Sequence, residues 1–504
     1  MYYNYMQNSS ITEYERGNTM KRIVPCFLTC LLLAAAVSCG DADTANPTDT
    51  TSADPQNTAQ TETSEPSLLD GLGERDLGGY VYTIFDCNDL YMLQVNIPGD
   101  EMTGEIVNDA LLTRDLTIKE RYNCDIRYFQ YTEGDGMKKL SSTVLAGDDE
   151  WQIIYAAMSM LNGQASSGVL ADLCEVPYIE PDKTWWNPLL YENLRLNDAM
   201  YFTSSDIAPG IYQMPTCMFL NLQLYTDYDY DADIFNMVID GKWTLEALQS
   251  MIKGMDTDLN QDNKWTLDDF YGLAMQNSAE AALTMLLGTG VRMSDITSDG
   301  TSITADIIDN DRLLHAAEVI AEMCPSISYG SDVNELSTVL FNGNRALFLV
   351  HKLETAAVHL RQMESDYLIL PTPKYDESQE SYISFLSPHG RCFIAVPQTS
   401  QLNEEAGFLT EAMARYSNQY VRPIAYELVY KDKDSRDPRT AEVLDILLDN
   451  LYIDFQSLYN FGNVNETLAN VIFKDVPLVS NLTKRAKSLE KDIAALVEYW
   501  GNLD

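Results

Sequence analysis

From residue 80 onward the chain alternates two hydrophobic patterns. Short unbroken runs of aliphatic and aromatic residues read as buried strands. Longer stretches with apolar residues three or four apart read as helices. Residues 80–85 are a strand signal that stops at the polar turn Asp86-Cys87-Asn88-Asp89. Residues 105–122 carry Ile106, Ala110, Leu111 and Ile118 at helical spacing. A strand over 124–131, an amphipathic helix over 137–146 and a buried strand over 151–157 are predicted next, with a Gly/Ser turn at 162–168. A second block opens with an apolar strand over 216–221. In Gly241-Lys242-Trp243-Thr244, Thr244 is placed to cap a helix and Trp243 to staple against Leu248. Helices over 279–287 and 311–323 precede a buried strand over 346–350 that ends in His351-Lys352. A strand over 391–397 and helices over 403–415 and 438–450 complete the reading. This order of elements predicts α/β layers.

The first 75 residues follow neither pattern. Met20-Lys21-Arg22 is a basic start, residues 23–37 are uncharged and apolar, and Ser38-Cys39-Gly40 closes the run. The apolar stretch is short for a permanent membrane span and has the layout of a secretory signal. A Cys in this place resembles the lipobox of bacterial lipoproteins. That resemblance implies lipidation of Cys39 and a mature chain beginning there; an ordinary cleaved signal is the alternative. The polar stretch before Met20 reads as an upstream start, so residues 1–39 are assigned to the signal with Met20 as its first residue. Residues 40–75 are expected to form an acidic, Thr-rich, disordered tether. Between Asp41 and Pro66 there is no aromatic, no Lys or Arg, and no aliphatic side chain larger than Ala, too little apolar area to offset chain entropy.

Charge narrows the function classes. The formal net charge of −43 argues against a nucleic-acid partner and against a polybasic membrane surface. The body is long enough for two domains and 45% of the chain is hydrophobic, so a substantial core is available. Past Cys39 the cysteines are Cys87, Cys124, Cys174, Cys217, Cys324 and Cys392, widely spaced and without C-x-x-C. Their setting in apolar runs favours buried thiols, with disulfides as the alternative.

Four segments taken in order carry a family resemblance: Gly241-Lys242-Trp243-Thr244, Ala346-Leu347-Phe348-Leu349-Val350, Leu370-Pro371-Thr372-Pro373-Lys374-Tyr375 and Ala395-Val396-Pro397. With Pro423-Ile424-Ala425-Tyr426-Glu427 and the polar run 431–437, the chain from about residue 76 resembles the extracellular solute-binding lipoproteins of ABC importers, of the carbohydrate type. The resemblance implies an α/β, two-lobe, periplasmic-binding-protein-like fold of type II, with lobes joined by a hinge that the chain crosses more than once. Lobe 1 would take residues 76–204 and 381–420, and lobe 2 residues 205–380 and 421–504. It further implies a monomer, anchored by lipid at the outer face of the cytoplasmic membrane, that hands a sugar or oligosaccharide to permease subunits. A surface glycan-binding or sensor-feeding lipoprotein is the alternative, and after it a glycoside-active enzyme, whose pair of carboxylates an acidic chain could hold.

Two constellations carry chemistry of their own. Asp258, Asn260 and Asp262 sit at positions one, three and five of a loop like that of an EF-hand. Lys264 offers a carbonyl at position seven and Asp269 a carboxylate at twelve, the oxygen spacing that wraps calcium. Asn263 replaces the turn Gly and Asp269 the usual Glu, so a solvated acidic loop is the alternative. For the ligand, the ends of strands in open α/β layers nominate Asp86, Asn88, Ser159, His351 and Lys352. Tyr212, near the expected first crossing, and Trp186 are nominated as aromatic faces for sugar C–H surfaces. His389 is placed to line the second crossing. No G-x-S-x-G, H-E-x-x-H or phosphate-loop signature is present, so no catalytic residue is assigned.

Overall fold

A computed structural model of the chain describes residues 66–87, 96–324, 333–431, 439–474 and 476–501. Its strands are β1 (Tyr80–Asp86), β2 (Cys124–Gln130), β3 (Ile153–Ala156), β4 (Thr203–Ser204), β5 (Thr216–Asn221), β6 (Tyr271–Met275), β7 (Asp295–Ile296), β8 (Ile303–Thr304), β9 (Ala346–Lys352), β10 (Tyr367–Leu370), β11 (Ser384–Phe385), β12 (Phe393–Ala395) and β13 (Leu451–Tyr452). They form a five-stranded sheet in the order β2-β1-β3-β12-β4 and a four-stranded sheet in the order β10-β5-β9-β6, with β11-β13 and β7-β8 as two small ribbons.

The first sheet starts as a parallel crossover. β1 and β2 pair from Tyr80↔Cys124 to Asp86↔Gln130, and the helix Ile106–Tyr122 carries the chain between them, because parallel neighbours need a long connection. Glu105 opens that helix by accepting from the N–H groups of Val107 and Asn108. β3 adds parallel to β1, and β12 returns antiparallel with Phe393 opposite Ala156. In the second sheet β5 runs antiparallel to β9, with Thr216 opposite Lys352, and β6 runs parallel to β9, with Met275 opposite Val350. β5 is buried along its whole length and apolar from Cys217 to Leu220, where both its faces are covered. Met218 and Leu220 join the large core that also holds Ile84 and Phe85 of the first sheet. Cys217 and Phe219 face a second core closed by Leu444 and Leu447 of the helix Arg439–Asp449. Side chains alternate faces along a strand, so a strand buried twice loses its polar alternation.

The chain passes between the halves at three places. The first crossing joins β4 to β5 through the 3-10 turn Pro209–Gln213. The second runs from β11 to β12 through Leu386, Ser387 and Arg391. The third leaves the helix Glu404–Tyr416 through a π-helical turn, Ser417–Val421, into the helix Arg422–Lys431.

Several expectations are corrected. The stretch 162–168 is not a turn throughout: the helix Met158–Ala165 runs through Asn162. Order begins before residue 75, since Leu68–Leu72 forms a 3-10 turn that buries Leu69, and Gln419 grips the segment at the Leu68 N–H and the Pro66 carbonyl. His351 and Lys352 are the last residues of β9 itself. Trp243 shares the large core with Leu248, and it also lies against Phe348 and donates to the Pro371 carbonyl. The six cysteines among the described residues are free. No helix of the described residues is long and apolar enough to cross a membrane. Cys39, the signal and the spacer as far as residue 65 lie outside the described residues, as does Asn88.

Candidate functional site

The register of the two sheets brings charged side chains to the same edge. In the first sheet, parallel β1 and β3 end where antiparallel β12 begins, so Asp86 and Arg391 flank one edge. In the second, β6 and β9 end where β5 begins, which places Gln276, His351, Lys352 and Thr216 together. Arg391 lies close enough to act electrostatically on both Asp86 and Lys352. The second crossing therefore carries a cation between the two strand ends.

Asp86 is fully buried, with Oδ2 accepting from Gln130 (3.1 Å) and Oδ1 without a hydrogen-bond partner. Burial pushes its carboxyl up to about 6, against the Gln130 bond and the positive charge of Arg391.

The β9 end is built differently. His351 Nδ1 accepts from the Lys352 N–H (2.9 Å) and lies 2.5 Å from Thr355 Oγ1. An Nδ1 that accepts leaves the proton of the neutral ring on Nε2, its one donor. Burial and the neighbouring Lys352 ammonium push His351 down to about 4, against the pull of Glu280. Lys352 pairs with Glu354 at 2.9 Å. Its burial lowers the ammonium pKa, but Glu280 and Glu354 outweigh that and raise it. Glu280, in the first turn of the helix Ala279–Gly288, accepts from the Ser387 hydroxyl of the second crossing. Burial works to raise its pKa and is outweighed by Lys352, His389, Ser387 and His351, which hold it below its usual value. Gln276, Glu280, Thr284, His351 and Lys352 surround a pocket of about 10 Å3, room for roughly one water or hydroxyl group.

The remaining nominated residues separate. Ser159 joins the assembly through its backbone, its N–H donating to the Pro388 carbonyl of the second crossing (3.1 Å). Tyr212 sits in the first crossing, with its hydroxyl donating to Asp206 and its ring edge-on to Tyr426. Its polar and aromatic contacts are with Asp206 and with Tyr426 of the helix Arg422–Lys431. Trp186 is a correction: only 2% exposed, with its indole N–H on Glu411 at 3.0 Å, it is a core residue without an open face. His389 is exposed beside Ser387. Glu280, Glu354, Ser387 and Arg391 were missed. Recognising β6 as a strand would have nominated Gln276 by the same strand-end rule that found His351, with Glu280 following in the first turn of the next helix. A larger open hollow of about 730 Å3 lies at the opposite end of β1, between Gly79, Tyr80, Asn403 and Glu404. We place the site at the strand ends, because there charged groups from both halves converge.

In the acidic loop, Asp258 Oδ2 accepts from the N–H of Asn263 (2.7 Å), and Asn263 takes a left-handed φ of 60° as the turn position requires. Asp258 Oδ1 is buried without a hydrogen-bond partner. Asn260 and Asp262 accept from the N–H groups of Asp262 and Lys264. Asp269, by contrast, has both oxygens engaged by the N–H groups of Leu259 and Thr266. Among the described residues no three His, Cys, Asp or Glu side chains form a group that could hold a metal ion.

No protein-family model matches the chain, and no curated protein does. Solved structures do. The cyclo/maltodextrin-binding protein complexed with maltotetraose is 11% identical with a TM-score of 0.55, over 82% of this chain and 97% of that one. The GacH receptor of Streptomyces glaucescens is 13% identical with a TM-score of 0.53, over 82% of this chain and 99% of that one. An ABC substrate-binding protein from Listeria monocytogenes in complex with cycloalternan is 14% identical with a TM-score of 0.51, again over 82% and 99%. At such identities the likeness defines the fold. This chain has the two-lobe, mixed-sheet α/β fold of the type II periplasmic-binding-protein class.

Proposed function

We propose that this protein is the extracytoplasmic binding component of an ABC importer and captures a sugar or oligosaccharide between its two halves without turning it over. The observation that carries the reading is that Arg391 of the second crossing acts on both the β1 and the β9 end, where Asp86 Oδ1 has no partner and His351 retains an Nε2 donor. A polyol offers hydroxyl groups that both donate and accept, which such a pair can bind. The similar folds that hold maltotetraose and cycloalternan support the same class of ligand. The test is a thermal-shift screen of mono- and oligosaccharides, since a ligand of the folded state alone raises the melting temperature. The sugar that does so should lose at least about tenfold in affinity on Asp86→Ala and on His351→Ala. Hydrolysis of that sugar, or no response across the panel, would overturn the reading.

The lipid anchor at Cys39 belongs to the same proposal and rests on the signal-like segment before it. Cys39→Ser should release the protein from the membrane or leave it unprocessed; unchanged membrane association after normal signal cleavage would refute the anchor. We also propose that Asp258, with its unpartnered buried oxygen, takes calcium together with Asn260, Asp262 and the Lys264 carbonyl. The hydrogen bonds at Asp269 weaken its part as the twelfth-position ligand.

A further inference from the structure

We propose that the site takes a linear sugar by one end, because the two halves also meet outside the crossings and wall off the β3 side of the strand ends. The inference rests on the sugar reading above. The wall starts at the second crossing. In the first half, the helix Met158–Ala165 begins just past β3, and its Ser159 N–H donates to the Pro388 carbonyl of that crossing (3.1 Å). In the second half, the Leu386 N–H donates to the Tyr452 carbonyl (2.8 Å), and the chain then turns into the helix Phe455–Tyr459, capped by Asp454. Asp454 also accepts from the N–H groups of Met293 and Ser294 (3.0 and 3.2 Å), which fixes this helix to its own half. The two helices pack together, and Asn162 Nδ2 donates to the Leu458 carbonyl (3.3 Å).

The wall continues beyond that contact. Trp500, near the end of the helix Ala486–Gly501, stands edge-on to Tyr201 of the first half (4.7 Å between ring centres) and to Phe455 of the second (5.6 Å). Asp492 of the same helix accepts from the Gly462 N–H (2.8 Å), which ties the helix to the second half. The Asn197 N–H donates to the carbonyl of Gly300, between β7 and β8, at 2.8 Å. Tyr201, Phe455, Leu458 and Trp500 are all buried, so parting the halves here would expose apolar surface to water. A sugar chain cannot run out through this side. The β9 end is a stop as well, since its pocket of about 10 Å3 admits a hydroxyl group and not a further ring. A sugar that reaches Asp86 and His351 therefore has one end against protein, and any further rings lead off on the other side.

Capped sugars test this by calorimetry. Linear disaccharides and tetrasaccharides of glucose, xylose, mannose and galactose are compared free, as nitrophenyl glycosides at the reducing end, and as benzyl ethers at the non-reducing end. For those that bind, one cap should cost at least about tenfold in affinity and the other less than about threefold. Trp500→Ala, which removes the ring between Tyr201 and Phe455, should recover most of the loss. Asn162→Ala, at a half-buried position, should recover part of it and decides alone should Trp500→Ala fail to fold. Equal tolerance of both caps, or equal loss from both, would overturn the end-on reading and leave the sugar reading standing. A one-sided loss that the variants leave unchanged would overturn the wall. No binding by any free sugar would overturn the sugar reading and this inference with it.

Discussion

The two strand ends that share the influence of Arg391 in the second crossing solve the problem of a buried charge in opposite ways. At the end of β1, Asp86 stands with one hydrogen bond and one empty oxygen, and desolvation dominates its titration. At the end of β9, Lys352 is enclosed by Glu354 and Glu280, while His351 is held neutral. The first end has acceptor capacity in reserve; the second is compensated from within. A single strand-end rule finds both places, yet it does not distinguish a carboxylate with an unpaired oxygen from an ammonium already paired within the protein.

The largest effect expected from this difference is on stability. Lys352→Ala would leave Glu280 and Glu354 without their cation, and breaking a buried pair on one side costs about 3–5 kcal/mol. Asp86→Asn removes a charge that the fold opposes, so at pH 8 it should cost little or stabilise. Urea unfolding of both variants measures the contrast, and a Lys352→Ala loss no greater than that of Asp86→Asn would break it.

The pH dependence sharpens the same comparison. Asp86 has a folded pKa raised to about 6 from 3.8. Its favourable contribution is therefore complete below about pH 4 and is lost as pH rises through 6, by up to about 3 kcal/mol. His351 is lowered to about 4 from 6.5. Its contribution is present above about pH 6.5 and is lost, by a similar amount, as pH falls through 4. Between pH 4 and 6 the two slopes oppose one another. Melting temperatures of Asp86→Asn should accordingly fall more steeply on acidification than those of the parent, and those of His351→Gln should rise. Parallel curves for all three proteins would show that neither group is as strongly shifted as its burial implies.

The smallest effect concerns the loop 258–269, outside both strand ends. Chelation by EDTA should lower the melting temperature by a few degrees, and Asp258→Ala should abolish that sensitivity. Equal melting temperatures with and without chelator would reduce the loop to an acidic turn held by its own N–H groups. The variant also serves as a control, since it should leave the pH behaviour of Asp86 and His351 untouched.

Much of the fold was legible because its signals are local. The apolar runs at Tyr80, Thr216 and Ala346, the helical spacing after Glu105 and the capping Thr244 each act within a few residues. Thr244 does accept from the Ala247 N–H, as its position predicts. The places of Asp86, His351 and Lys352 at strand ends were legible for the same reason, since a polar residue closing an apolar run marks an edge. Trp186 was misread because an aromatic side chain looks the same in sequence whether its partner is a sugar or Glu411.

What the sequence alone determined is therefore the alternation of strand and helix, the acidic charge that disfavours nucleic acid, and the positions where strands end. Tertiary structure decided which of those ends share the influence of Arg391. It also supplied Glu280 and Glu354, and joined Asn162 to Leu458 across 296 residues of chain. The physical reason is range. Periodicity and capping are settled by neighbours along the chain, whereas burial, charge compensation and a hydrogen bond between the halves depend on contacts that form only when the halves are packed.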